Sequence, residues 1–198
     1  MNIYTYYEKV PQMKRDNQLE LIEIWEKSWK KYGWNPIVLD KNHTNCSESE
    51  VEYFFSLPTA NHKIYEVACF LRWNAMSNIG GGWMCDYDVV NCGFLPESSK
   101  KWQSLSILQG HVPCLVYGSQ TDYKKMFDIF KSESLSHTKD NHVSDMVVIS
   151  KIKKREKFIK CFNFVDGYPN NKSSEVVHCS AHSCSLSKLS KKEAMLKL

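Results

Sequence analysis

The sequence predicts an α/β fold, a three-layer α/β/α sandwich around a mostly parallel central sheet. Three observations predict it. Runs of β-formers alternate with amphipathic helical segments through the first half of the chain. Those helical segments stop at Gly33, Pro58 and the Gly80-Gly81-Gly82 run. The strand that follows the three glycines is apolar and carries two aspartates at its far end.

The elements follow in order. Ile3 to Tyr7 reads as the first strand. Gln18 to Tyr32 reads as a helix, with Leu21, Ile22, Trp25, Trp29 and Tyr32 on one face and Glu23–Lys27 and Glu26–Lys30 as spaced ion pairs on the wet side. Ile37 to Leu39 is a short buried strand ending at Asp40. A helix over Glu48 to Leu57 precedes a longer one over His62 to Ile79, whose inner face is Ile64, Val67, Ala68, Leu71 and Ala75. Trp83 to Val90 reads as one central strand. Beyond it, Leu105–Leu108 and Cys114–Tyr117 form two strands joined by a Gly110–Pro113 turn, followed by a helix over Gln120 to Lys131. A polar loop over Lys131 to Asn141 leads to Met146–Ile149, Phe158–Val165 and Val176–Cys179, the remaining strand candidates. Leu186 to Leu198 is a basic, helix-compatible tail, and no internal repeat is present.

A chain of 198 residues predicts one domain, which at this length buries about 70% of its unfolded surface without a covalent staple. The net charge of +4 is modest and spread out, with one dense basic stretch at Lys153, Lys154, Arg155 and Lys157. A nucleic-acid partner calls for a stronger stripe, so none is expected. None of the eight cysteines stands in Cys-x-x-Cys spacing. The N-terminus runs straight into a strand, so no signal peptide is expected, and reduced thiols in a cytoplasmic protein follow. No apolar run reaches the ~18 residues that a membrane span needs.

The chemistry concentrates in Gly80-Gly81-Gly82-Trp83-Met84-Cys85-Asp86-Tyr87-Asp88. Alternate strand positions share a face, which places Asp86 and Asp88 on one side about 6.6 Å apart. Two carboxylates at that spacing repel unless a cation sits between them, and a hard divalent ion such as Mn²⁺ or Mg²⁺ suits oxygen ligands. A plain solvated turn at a strand end is the competing reading, because Asp-x-Asp occurs often by chance.

With the preceding Ala68 and Arg72, this segment resembles the Asp-x-Asp core of GT-A glycosyltransferases. It is most similar to those related to the yeast-type initiating mannosyltransferases and to the catalytic domains of large clostridial toxins. The strong match covers about residues 66–90. The resemblance implies a GT-A-like (Rossmann-like) sandwich as one domain over 1–198, with a nucleotide-binding half over 1–90 and an acceptor-side half over 91–198 that carries a C-terminal metal and phosphate segment. It also implies a hexosyltransferase moving sugar from a nucleotide-sugar donor, a UDP-sugar, to a glycan or glycoconjugate hydroxyl, with membership of a larger multidomain enzyme a compatible setting. Two departures stand out: Cys69 occupies the place of an aspartate three residues before the arginine, and the helix-to-strand spacing is one residue longer at Gly80.

The resemblance assigns roles residue by residue. Asp86 touches donor ribose or sugar and shares the metal with Asp88. Arg72 reaches the donor sugar or diphosphate, where a guanidinium neutralises charge on the leaving group. His178 completes the metal shell after the apolar Val176-Val177 pair, with His182 as its competitor, and Ser180, Ser183 and Lys188 contact phosphate. Thr5, Tyr6 and Tyr7 end the first strand where base recognition is expected, although a core strand explains them equally well. Asp145 is the candidate for the group that takes the acceptor proton, and a first-turn helix acid is its plainer reading. Two other functions compete. A phosphatase with an aspartyl nucleophile at Asp86 needs the motif after its first strand, and a non-catalytic sugar- or nucleotide-binding module on a transferase scaffold fits the change at Cys69.

Overall fold

The computed structural model describes residues 1–10, 17–136, 141–169 and 174–198. A six-stranded mixed sheet forms the centre, in the order β2-β1-β3-β6-β5-β7. Its strands are β1 (Asn2–Tyr6), β2 (Asn35–Leu39), β3 (Gly81–Cys85), β5 (Ser106–Gln109), β6 (Val112–Ser119) and β7 (Lys160–Cys161). Pairs β1–β2, β1–β3 and β5–β7 are parallel, whereas β3–β6 and β5–β6 are antiparallel. A second, three-stranded sheet runs β4-β9-β8, from β4 (Val89–Asn91), β8 (Asp166–Gly167) and β9 (Val176–His178).

Alternation along the strands builds one core on each face of the central sheet. Tyr6, Met84, Ile107 and Val116 face one way, against α2 (Glu48–Ser56), α3 (Lys63–Asn78), α4 (Gln120–Ser136) and α5 (Asp145–Ile152). Ile3, Trp83, Cys85, Leu108 and Leu115 face the other way, against α1 (Gln18–Lys31), the second sheet, α6 (Ala181–Leu186) and α7 (Lys191–Leu196). That second core is aromatic at its centre: Trp34 packs edge-on to Trp29 and Trp83, with ring centroids 5.4 and 5.8 Å apart. Two of these indoles also keep a hydrogen-bond partner, Trp29 Nε1 donating to Val89 O at 3.1 Å and Trp34 Nε1 to Phe94 O at 2.7 Å.

The first four elements lie where the sequence predicts them, and α1 buries Leu21, Ile22, Trp25 and Trp29. Glu26 and Lys30 meet at 3.2 Å on its wet side. The link from α3 to β3 depends on its glycines. Gly81 has φ +84°, and a Cβ there would fall 2.5 Å from the Gln120 amide nitrogen and 2.7 Å from Gly118 O, both backbone atoms that cannot move aside.

Four expectations need correction. Trp83–Val90 is not one strand: β3 ends at Cys85, residues 87–88 turn, and β4 joins the other sheet. Met146–Ile149 is helical, because Ser144 caps the segment by accepting a hydrogen bond from Val147 N, and Val148, Ile149 and Ile152 bury one face. Phe158–Val165 contributes only the two-residue β7 and a bridge between Gln109 and Asn163. The loop expected over 131–141 starts later, since α4 continues to Ser136, and residues 137–140 lie outside those described. The tail over Leu186–Leu198 begins at the end of α6 and is helical over α7, Lys191–Leu196. None of the eight cysteines forms a disulfide, and no helix among the described residues is long and apolar enough to cross a membrane.

Candidate metal centre

The strand hand-off from β3 to β4 builds the site. Asp86 N donates to Cys114 O on β6 at 2.8 Å, Val89 N closes a turn onto Asp86 O at 3.1 Å, and Cys179 N donates to Asp88 O at 2.8 Å. The backbone on both sides of Tyr87 is therefore tied to the central sheet and to the segment after β9. Both carboxylates consequently meet His178, the last residue of β9. One ligand atom each from Asp86, Asp88 and His178 lies within 4.8 Å of the others. The alternate-strand geometry predicted for the two aspartates is thus replaced by a turn, which brings them to the same point by another route.

The donor set fits a divalent cation. Octahedral ligands about 2.1 Å from Mg²⁺ lie about 3.0 Å apart when adjacent and about 4.2 Å apart when opposite, so the three donor atoms need to draw inward to close this shell. His178 Nδ1 lies 2.8 Å from Gln109 Oε1, an acceptor, so Nδ1 carries the proton and Nε2 faces Asp88 Oδ1 at 3.4 Å. Burial opposes ionisation of Asp88, but Lys191 and His178 outweigh it and hold its carboxyl well below the usual range. Burial raises Asp86, with Arg72 opposing and Asp88 adding to the rise. Burial works against charge on His178, and Cys114 and Asp88 on either side raise it nonetheless.

Arg72 sits beside this cluster on the buried face of α3. Its Nη1 donates to Asp86 Oδ1, and its Nη2 and Nε donate to Asp145 Oδ2 at 2.6 and 3.2 Å. Asp145 Oδ2 also accepts from Trp73 Nε1 at 3.0 Å, and its Oδ1 accepts from Met146 N at 2.7 Å. Its side chain is 4% exposed. Asp145 is therefore a first-turn acid of α5 with both oxygens engaged, and it locks Arg72 rather than facing solvent.

The fold is GT-A-like. Two solved glycosyltransferase structures share it. An active-site mutant of LgtC superposes with a TM-score of 0.58 at 13% identity, over 91% of this chain and 88% of that one. The glycosyltransferase GlyE of Streptococcus pneumoniae TIGR4 superposes with a TM-score of 0.54 at 8% identity, over 99% of this chain and 63% of its own. The chain thus spans 63% of the length of GlyE. No protein-family model and no curated protein sequence matches the chain.

Other residues of the GT-A-like chain fall at varying distance from the cluster. Tyr7 is half-buried, and its ring meets the Tyr87 ring edge-on at 6.3 Å, which puts an aromatic pair beside the two aspartates. Tyr6 points into the core and donates to Glu8 Oε1 at 2.9 Å, while Thr5 is buried with no hydrogen-bond partner for its hydroxyl among the described residues. Ser180 caps α6 by accepting from Ser183 N at 3.2 Å, and Ser183 bonds back to it, so both hydroxyls serve that turn. Lys188 and His182 are exposed on and after α6, and His182 is not in the cluster with the two aspartates.

Sequence reasoning missed three contributors. Lys191 donates to Asp88 Oδ2 at 2.6 Å. Gln109, from the hairpin, orients His178. Tyr65 lies one helical turn before Cys69; it is 37% exposed, and the neighbouring Cys69 and the two aspartates push its hydroxyl up. Only Tyr65 had a signal: it falls four residues before Cys69 and seven before Arg72, the spacing of one helix face.

Behind Arg72, Glu66 carries a testable pH signature. It is 5% exposed, its Oε1 accepts from Asn61 Nδ2 at 2.6 Å, and its buried Oε2 has no hydrogen-bond partner among the described residues. Burial pushes it up to about 7 from an ordinary 4.5, Asn61 opposing and Asp145 adding to the rise. Between those values the folded chain keeps a proton that the unfolded chain releases, so stability falls as pH rises through this window. Glu66→Gln should therefore match wild type near pH 4 and exceed it at pH 8 by up to about 3 kcal/mol. Urea denaturation at both pH values checks this, and an equal difference at the two would remove the assignment.

Proposed function

We propose that the chain is a metal-dependent hexosyltransferase that moves a sugar from a nucleoside-diphosphate sugar, a UDP-sugar, to a hydroxyl of a glycan or glycoconjugate. The observation that carries this reading is the convergence of Asp86, Asp88 and His178 beside Arg72 at the end of β3. The fold shared with LgtC and GlyE supports it. Residues 1–90 would hold the nucleotide and 91–198 the acceptor, with cation and donor meeting between them. Eight cysteines outside any disulfide favour a reducing compartment, the cytoplasm.

Asp86, Asp88 and His178 Nε2 would hold Mn²⁺ or Mg²⁺. When bound, the cation supplies Lewis-acid neutralisation of the departing diphosphate. The residues of the chain do the rest. Arg72, held by Asp145 and Trp73, presents a fixed guanidinium next to Asp86, where donor sugar and diphosphate oxygens would lie. That charge is set in place before the donor arrives, so no reorganisation is needed as the leaving group develops charge. Tyr7 and Tyr87 offer ring faces to the base. Ser180, Ser183 and Lys188 stand as phosphate contacts only if α6 adjusts, because both serines already bond within its first turn. Asp145 acts through Arg72, since its oxygens are taken by Arg72, Trp73 and Met146 N.

A thermal-shift panel tests the proposal. A ligand present at about 100 times its Kd stabilises by about 2.7 kcal/mol, a rise of about 5 °C or more for a chain of this size. UDP with Mn²⁺ should give that rise, and UDP-glucose with Mn²⁺ should in addition release UDP over hours. An unchanged Tm with UDP and Mn²⁺ together would end the enzymatic reading. A rise without UDP release from any UDP-sugar, with or without glycan acceptors, would leave a binding module instead.

A further inference from the structure

The metal cluster contains a built-in monovalent cation. Lys191 Nζ lies 2.6 Å from Asp88 Oδ2, on the opposite oxygen from the one that faces His178. The two side chains are 14% and 9% exposed, so little water screens the pair. The lysine is carried by a docked element. α7 buries Ala194 and Met195 in the same core as Trp25 of α1, and Ser190 and Glu193 form a reciprocal cap at its start. Lys192 reaches Glu20 of α1 at 2.8 Å. These contacts aim Lys191 at Asp88 as part of the folded state.

The charges decide what this does. Asp86, Asp88 and Asp145 bring three negative charges, and Arg72 and Lys191 bring two positive ones in direct contact with them. With His178 neutral, as a metal ligand must be, the cluster offers a divalent cation one net negative charge. Asp88 in addition offers it one oxygen, because Lys191 holds the other. A nucleoside diphosphate brings at least two further negative charges and competes with Asp88 for the ammonium.

We propose that Lys191 makes the cation site donor-dependent, holding Asp88 to a single coordinating oxygen and weakening cation binding until a nucleoside diphosphate supplies the missing negative charge. This rests on the proposed transferase reading and adds to it the coupling between metal and donor. By linkage, whatever the diphosphate does for cation affinity, the cation does equally for the diphosphate. A lysine that served only to steer Asp88 toward the metal predicts the opposite sign, because its loss would weaken cation binding.

The test measures free Mn²⁺ by electron paramagnetic resonance, with and without UDP, for wild type, Lys191→Met and Lys191→Arg. Wild type should bind Mn²⁺ weakly alone and about ten-fold or more tightly with UDP. Lys191→Met should bind Mn²⁺ alone about ten-fold more tightly than wild type and lose most of the gain from UDP. Lys191→Arg, which keeps the charge, should retain the wild-type pattern. Lys191→Gln keeps a donor for Asp88 Oδ2 without charge, and it carries the test in the same direction should the methionine variant fail to fold. Equal or weaker Mn²⁺ binding in the uncharged variants overturns the inference while leaving the transferase reading intact. Wild type that binds no Mn²⁺ even with UDP overturns both.

Discussion

Asp88→Asn should lower sugar transfer about a thousand-fold or more while the chain stays folded. Asp88 is the residue on which the cluster closes: it faces His178 with one oxygen and Lys191 with the other. Asparagine has nearly the same shape and still accepts from Lys191, but it removes a full negative charge from the cation's shell. Lewis-acid stabilisation of a leaving group is worth several kcal/mol, and each 1.36 kcal/mol is about a factor of ten in rate. The measurement is turnover of UDP-sugar with Mn²⁺, alongside circular dichroism to show that the fold persists. Activity within ten-fold of wild type in a folded Asp88→Asn protein would remove Asp88 from the metal shell.

Arg72→Met should be the most destabilising single change at the site, costing about 3–5 kcal/mol. The guanidinium is 9% exposed and is the charge partner of Asp145, which is 4% exposed, and of Asp86. Removing it strands Asp145 as a buried negative charge, and a typical domain has only about 5–15 kcal/mol in hand. The double variant Arg72→Met with Asp145→Leu removes both charges together and should recover more than half of the loss. It should recover no transfer activity, because the fixed positive charge next to Asp86 is gone. Urea denaturation gives the stabilities. A cost below about 1 kcal/mol for Arg72→Met would mean that the pair behaves as an exposed one and that its buried geometry is wrong.

Much of this fold is legible in the chain itself because its signals are local. The Trp25 and Trp29 stripe, the stop at Pro58 and the glycines after α3 each act within one or two turns of backbone. The misreadings share a cause. Trp83–Val90 and Met146–Ile149 are short apolar runs, for which periodicity does not separate one strand from two or a strand from a buried helix. At the site, Asp86, Asp88 and His178 could be found because a motif and a strand end marked them. Lys191 and Gln109 could not, since Lys191 stands 103 positions from Asp88 and Gln109 stands 69 from His178, with nothing local to single them out. Asp145 was visible only as an acid before an apolar run, and its hold on Arg72 depends on how α3 and α5 pack.

The turn between β3 and β4 has a practical consequence. Its position is held by main-chain bonds to Cys114, Val89 and Cys179, none of which involves the aspartate side chains. The polypeptide therefore offers two addresses whose place is set by main-chain bonds, with Arg72 and Lys191 waiting beside them as the charges that any new side chain has to satisfy. A protein engineer who wanted a different ion at the meeting line of the two sheets could rewrite both positions without rebuilding the loop that presents them, provided that Arg72 and Lys191 were changed to match.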